Sequence, residues 1–505
     1  MSVVDRLDRD RRAALVALAV LCALSFLARL PRIAAPIADA QSWNQTSAAE
    51  VIRNFHEKGV RFLYPEWNHL DRDTAATRIG AEEAPIYHVI VALLWRATGE
   101  AEWAARLVTI AFTLAGTVFL FLLVARTLGR ATGLLAAFFY AFAPLTWFFG
   151  RAIMSDSAML TASIAALHYF SRWADEDRSR DLVLALAWTA LTGLFKPFGL
   201  LIGVPFLALC HRKYGWRFPL VPRLWLFGAL AVAPTFLWLR HALTVGNLGG
   251  VTATADVIST NRIWGPVSLL WDPRFYYRLQ WRLLDRAMTP VATAFAVLGL
   301  AARRGKEVRP FHYWLLGVLL YVLLIRNGNM EHEYYQLLYV PVASVFAALG
   351  ARTLLEWGAS KPLLRWATGL LLAGFLALSA RYVTNLFHQD LSGFRAGLLV
   401  RQVTPPGSLI YVLDAGRTRK NQVIYYSRMR GWHEGRCDPA AIGRYRGLGA
   451  SRFVAVLEPA QARENAGCLS ALRARFPLLA SAQDPPGDNP HAYEVLALTS
   501  PAAAP

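Results

Sequence analysis

The sequence predicts an α-helical polytopic membrane protein with a small α/β domain at its C-terminal end. Three observations predict it. Fifty-five per cent of the 505 residues are hydrophobic and only 17% are charged, where an average soluble chain carries about a quarter charged residues. The apolar residues gather into runs that recur along the chain until about position 384. The cations sit between those runs in short clusters: Arg9/Arg11/Arg12, Arg126/Arg130, Arg172/Arg178/Arg180, Arg212/Lys213/Arg217, Arg303/Arg304/Lys306/Arg309 and Lys361/Arg365. A net charge of +19 would suit a nucleic-acid partner if it lay in one segment. Dispersed like this it follows the positive-inside bias of cytoplasmic loops. The pattern excludes an ordinary soluble enzyme, a disordered chain and a nucleic-acid binder.

Taken in order, Ala13–Leu30 is the first span, and the arginines before it place the N-terminus in the cytoplasm. No small-residue cleavage site comes after it, so the span is read as retained. Residues 39–84 are too polar to cross and form an outer loop. Within it Trp43, Ser47, Val51 and Phe55 recur every fourth residue with Ile52 beside them, while Glu50, Arg53, Glu57 and Lys58 take other sides. That pattern predicts a helix lying at the membrane surface. Ile86–Ala97 is apolar but short, closed by Trp95-Arg96, and is read as a second interfacial helix. Spans then occupy 103–124, 131–149, 158–173, 182–195, 198–210, 224–243, 287–302, 312–325, 334–357 and 363–383. With 86–97 kept at the interface, every cation cluster falls on the cytoplasmic side of about eleven spans.

The same count puts the tail outside. Residues 407–413, 452–457 and 493–498 read as strands, while 421–430, 440–448 and 468–476 read as helices. Strands alternating with helices suggest an α/β domain, with a turn at Pro485-Pro486-Gly487-Asp488. The expected division is residues 1–384 as the membrane domain, including a first outer loop at 31–102, and 385–505 as the extracytoplasmic domain. Cys22 and Cys210 lie in apolar runs as fillers. Cys437 and Cys468 lie in the tail and are free to pair if it is extracytoplasmic.

This topology collects ionisable residues on one face: Asp39, then Tyr64, Glu83, Tyr87 and His88 in the first loop, Arg151 and Asp156 in the next turn, Lys196 in the third, and Glu331-His332-Glu333-Tyr334-Tyr335 later. Such groups at membrane depth are costly and are functional candidates for that reason. Plainer roles compete. Asp39 or Asp156 would also serve as a helix cap, Lys196 as a snorkelling anchor, and Arg53, Glu57 and Glu82 as solvated surface. An outer-face site has no nucleotide-activated sugar, so an activated substrate would arrive through the membrane as a lipid-linked phosphate sugar. Apolar helices would hold its tail and cations its phosphate. A carboxylate would take the acceptor's proton, and Lys or Arg would stabilise the leaving phosphate.

At this point the residues resemble a family. The run Asp39…Ala48-Ala49-Glu50…Arg53-Asn54-Phe55…Gly59…Phe62-Leu63-Tyr64-Pro65 with Glu83-Ala84-Pro85-Ile86-Tyr87 is similar to the first outer loop of bacterial family 39-type GT-C membrane glycosyltransferases, relatives of protein O-mannosyltransferases and the lipid A aminoarabinose transferase. Phe149–Asp156 resembles their second acidic motif, Phe195-Lys196-Pro197-Phe198 their lysine turn, and His332-Glu333-Tyr334-Tyr335…Pro341 their His-x-Tyr-Tyr stretch. The resemblance spans roughly residues 30–350. It implies inverting transfer from a polyprenyl-phosphate sugar to a glycan, lipid or protein acceptor, at the bacterial cytoplasmic membrane. It implies Asp39 as base and Asp156 at the phosphate end, through a divalent cation (Mg or Mn) if one is used. Lys196, Arg151, His332 and Tyr335 would line the donor phosphate, and Glu83, Tyr64, Tyr87 and His88 the acceptor side. Ala40 stands where many relatives have Glu, and Phe195 and Pro197 flank Lys196 where relatives carry Thr and Gly. A lipid-linked sugar transporter or flippase and a non-catalytic partner in envelope glycan assembly are the competing readings. The first would place its polar site at mid-membrane with repeat symmetry, and no internal repeat is evident.

Overall fold

The computed structural model describes residues 3–247, 263–302, 305–414, 421–485 and 490–498. Arg303, Arg304 and residues 486–488 of the expected turn lie outside them. The chain forms two compact units: the described parts of Met1–Ile33, Ala105–Arg240 and Val257–Leu386, and those of Ala34–Ala104, His241–Asp256 and Phe387–Pro505. The division is therefore not a single cut near 384. Most of the first outer loop, assigned from the sequence to the membrane domain, packs with the C-terminal segment.

The first unit is helical. Among the described residues Arg11–Arg29, Glu102–Leu128, Pro222–Val245, Glu333–Ser360 and Pro362–Leu386 are each long and apolar enough to cross a membrane. A sixth joins them if Pro273–Ala287 and Thr289–Ala301, bent by 98° to one another, count as one. The chain is a multi-pass membrane protein, but length and composition do not reproduce about eleven spans. The remaining expected spans are helices that are short or polar. Ala131–Phe149 breaks after Phe142, because Pro144 holds Ala143 in an extended conformation with ψ 137° and starts a new short helix. Ser179–Phe195, Gly203–Tyr214 and Arg309–Leu324 stop at 17, 12 and 16 residues. Asp156–Glu176 reaches 21 residues but carries acids at both ends.

Helix packing depends on small residues. Thr289–Ala301 crosses Tyr339–Trp357 at Gly299 and Gly350, where an added Cβ would come 1.9 Å from the carbonyl oxygen of Phe346 or Phe295. Apolar solvent gives helices no reason to associate, so close backbone approach of this kind carries the contact.

The second unit is built on a seven-stranded sheet in the order β2-β1-β4-β3-β5-β7-β6. The strands are β1 Glu66–Leu70, β2 Thr77–Ile79, β3 Leu409–Asp414, β4 Arg430–Glu434, β5 Ala450–Leu457, β6 Leu478–Gln483 and β7 Ala492–Ala497. β4, β3 and β5 run parallel, and β7 and β6 continue antiparallel. Ile410 and Val412 face one core with Val423, Val454 and Val495. Tyr411 and Leu413 face the other with Trp432, Tyr445 and Phe453. A strand buried on both faces has to be apolar at every position, which is why 409–413 reads as an unbroken apolar run. β1 joins the edge of this sheet, parallel to β4 with His69 opposite Gly431, and Trp432 Nε1 donates to the Asp71 carbonyl at 2.7 Å. Cys437 and Cys468 are disulfide-bonded across 31 positions of the chain.

Helix Ser42–Lys58 corrects one expectation. Glu50 and Arg53, read as part of its polar face, are buried. Glu50 accepts from the Asn68 N–H at 3.1 Å. Arg53 donates to Glu100 at 2.6 Å and to the Tyr425 carbonyl, with its guanidinium 3.8 Å above the Tyr425 ring. The helix is a protein-packed element, because partners from elsewhere in the chain cover the charges that the periodicity left outside.

Candidate active site

Two interrupted helices bring the central pair of the first unit together. The helix ending at Phe149 gives way to a turn, and Asp156 is the first residue of the next helix, Asp156–Glu176. Asp156 is not the cap residue; Ser155 occupies that position and makes no side-chain cap bond. Lys196 closes Ser179–Phe195 in an extended conformation (φ −155°), and Pro197 opens a 3-10 turn after it. A carboxylate at a helix start and an ammonium at a helix end each sit where the helix dipole favours them. Lys196 Nζ lies 3.3 Å from Asp156 Oδ2, with the two side chains 22% and 5% exposed.

An aromatic cluster borders the ammonium through Tyr334. Lys196 Nζ is 5.7 Å from the centre of the Tyr334 ring, a cation–π distance. His332 stacks on Tyr334 at 5.5 Å and on Tyr335 at 6.0 Å, and Phe149 meets Tyr334 at 6.0 Å. Asp156, Lys196, His332 and Tyr335, four of the residues marked in the sequence, therefore share one cluster, and Tyr334 is its centre.

Arg151 makes contacts with the backbone after the first span. Its guanidinium is buried and donates to the carbonyls of Pro31 and, at 3.3 Å, Arg32. Arg106, also buried, donates to the carbonyl of Ile33 at 2.7 Å. Two arginines thus grip three consecutive carbonyls after the first span. At that depth carbonyls need donors, and Arg151 supplies two of them with one.

The sequence reading missed a row of cations. Arg278, Arg282 and Arg286 recur every fourth residue along Pro273–Gln280 and the turn of π-helix after it. Arg278 donates to the Met330 carbonyl at 3.4 Å and Arg282 to the Asn329 carbonyl at 2.6 Å. Arg286 lies 3.5 Å from Glu333 and is 60% exposed. They border the 329–333 segment that leads into the His332–Tyr335 aromatics. The spacing was the available signal.

Asp39 lies in the second unit. It is buried and accepts from Gln45 Nε2 at 2.8 Å, beside Gln41, which holds a left-handed conformation at φ 57° as helix Ser42–Lys58 begins. Tyr87 and His88 are buried in Ile86–Thr98 with their rings 5.8 Å apart. Glu83 is half-buried just before that helix, and Tyr64 is exposed with its ring 5.7 Å from His241.

Among the described residues no group of three or more His, Cys, Asp or Glu gathers that could hold a metal ion. Asp156 has an ammonium 3.3 Å from its carboxylate, a positive charge that would compete with a divalent cation there.

Residues 82–239 match the family model described as dolichyl-phosphate-mannose-protein mannosyltransferase. ArnT from Cupriavidus metallidurans in the apo state superposes with TM-score 0.64 at 14% identity, over 96% of this chain and 98% of ArnT. ArnT bound to undecaprenyl phosphate gives 0.60 at 14% identity, over 97% and 99%. The fold is that of the GT-C glycosyltransferases. An Archaeoglobus fulgidus oligosaccharyltransferase tethered to an acceptor peptide with the NVT sequon also matches, at TM-score 0.57 and 11% identity over 88% of this chain and 69% of its own. No curated protein sequence matches the chain. The GT-C fold accounts for the family-39 resemblance read from Asp39 to Pro341, and the family-model match covers its Asp156 and Lys196 motifs.

Proposed function

We propose that the protein transfers a sugar from a polyprenyl-phosphate donor to an acceptor hydroxyl or phosphate, with inversion, at the outer face of a bacterial cytoplasmic membrane. The observation that carries this reading is the Asp156–Lys196 pair at two helix ends, with Tyr334 beside the ammonium and His332 and Tyr335 packed next to Tyr334. The acceptor oxygen attacks the anomeric carbon as Asp39 takes its proton. The anomeric carbon–oxygen bond breaks, and its electron pair leaves with the polyprenyl phosphate. Lys196 stabilises the charge on that phosphate, and Asp156 holds Lys196 in place; Arg282 and Arg286 add positive potential nearby. Apolar spanning helices suit the polyprenyl tail. ArnT, whose fold the chain shares, has been solved with undecaprenyl phosphate, which supports a donor of that class.

The test measures release of polyprenyl phosphate from a panel of short polyprenyl-phosphate sugars by the purified protein, beside Asp39→Asn. Release from one sugar, lost in Asp39→Asn without a change in thermal midpoint, is the expected result and also names the donor. Full release by Asp39→Asn would remove Asp39 from the mechanism.

A further inference from the structure

The second unit contains a cavity of about 390 Å³ that the transfer reading does not use. Its size falls among small-molecule pockets, which run about 300–1,000 Å³. Arg53, Glu100, Glu102, Tyr426 and Arg428 form much of its wall, and each has a protein partner. Glu100 receives both Arg53 and Arg428, Arg428 also reaches Glu57 at 2.7 Å, and the Tyr426 hydroxyl donates to Glu102 at 2.6 Å. Burial alone would raise the Glu100 carboxyl, but Arg53 and Arg428 outweigh it and hold it below its ordinary value. These groups form a floor tied together by ion pairs and hydrogen bonds.

The rest of the lining differs. Arg401 is exposed and, among the described residues, has no ion-pair or hydrogen-bond partner. It lies three residues after Leu398 on helix Ser392–Val403, so the two share a face. Trp103 and Leu398 line the same cavity while remaining 39% and 37% exposed. Trp103 stands in the first turn of Glu102–Leu128, a helix long and apolar enough to cross a membrane. A tryptophan at that place on a span belongs to the headgroup layer. The cavity thus offers one uncommitted guanidinium and an apolar wall at headgroup depth. The fitting ligand has an anion joined to an apolar chain.

We infer that the cavity between Trp103, Leu398 and Arg401 binds the phosphate of a membrane lipid headgroup. The inference stands whether or not the chain transfers sugar.

The full-length protein, delipidated in detergent, would be titrated with dioctanoyl phosphatidic acid by calorimetry. The Lys196→Met background removes binding at the proposed donor site. Binding that falls at least tenfold in Arg401→Glu, several-fold in Trp103→Ala, and is kept in Arg401→Lys is the expected result. Dioctanoylglycerol, which lacks the phosphate, should bind at least tenfold more weakly. Equal affinity in Arg401→Glu, or for dioctanoylglycerol, would overturn the site. Displacement of the lipid by millimolar inorganic phosphate would assign the cavity to a free anion and overturn the lipid assignment. Arg401 is exposed, so its substitution leaves the fold intact, and an unchanged thermal midpoint verifies that.

Discussion

The Arg53–Glu100–Arg428 network of the sheet unit and the Asp156–Lys196 pair of the helical unit are both ion pairs drawn out of water, and they are built differently. Arg53 uses two N–H groups on Glu100, another on the Tyr425 carbonyl, and its flat face on the Tyr425 ring. Three of its five N–H donors and one face of its plane are held by protein partners. Lys196 instead meets a carboxylate and a ring face, on a side chain 22% exposed. A guanidinium fork can be consumed by structure, whereas a lysine at a helix end can exchange one anion for another. Burial and charge alone therefore do not separate a structural pair from a working one; the kind of cation and its place on the helix add to the distinction.

The largest expected effect comes from breaking the spent network. Arg53→Met leaves Glu100 with half its partners and should cost about 3–5 kcal/mol, read as a fall in thermal midpoint, with turnover per folded molecule kept. Turnover lost with the midpoint unchanged would contradict the contrast. Lys196→Met should act mainly on turnover, lowering release of polyprenyl phosphate per folded molecule about 10²–10³-fold, the scale of losing one charge-stabilising donor, beside the fall in midpoint expected when the buried Asp156 loses its ammonium. Gly299→Leu should loosen the helix crossing by about 1–3 kcal/mol, seen as a lower midpoint, because the new side chain meets the Phe346 carbonyl. Arg286→Ala should slow release less than tenfold, since a solvent-exposed cation acts through a screened field.

The smallest effect is on pH dependence. Glu100 is held below its ordinary value of 4.5 in the folded state, burial opposing and Arg53 and Arg428 prevailing. The unfolded chain then binds the extra proton between those two values, so this contribution is complete above 4.5 and is lost as the pH falls through the folded value. Glu100→Gln should be less stable at neutral pH and show a shallower loss on acidification. An identical acid limb in both proteins would count against the network.

How much could be read beforehand varied with range. The cluster of Asp156, Lys196, His332 and Tyr335 was legible, because alternation of spans brings every second turn to one face and only a few turns carry ionisable groups. The contacts of Arg151 and Arg53 were not. Both looked like polar residues facing outward, and both found partners set by packing: carbonyls of Pro31 and Arg32 for one, Glu100 and Tyr425 for the other. The row Arg278, Arg282, Arg286 was visible as a period but lay in a stretch read as a loop.

By itself the sequence determined the features that local composition dictates: apolar runs long enough to need a membrane, the prolines that cut them short, the doubly buried strand at 409–413, and ionisable residues at helix ends. Only the tertiary structure decided that residues 66–79 extend a sheet whose other strands begin more than 300 positions later. β1 is polar and five residues long, and its stability comes from pairing with β4 rather than from its own residues. The tertiary structure likewise decided which buried charges are already satisfied, because desolvation and pairing depend on partners that no local pattern can name.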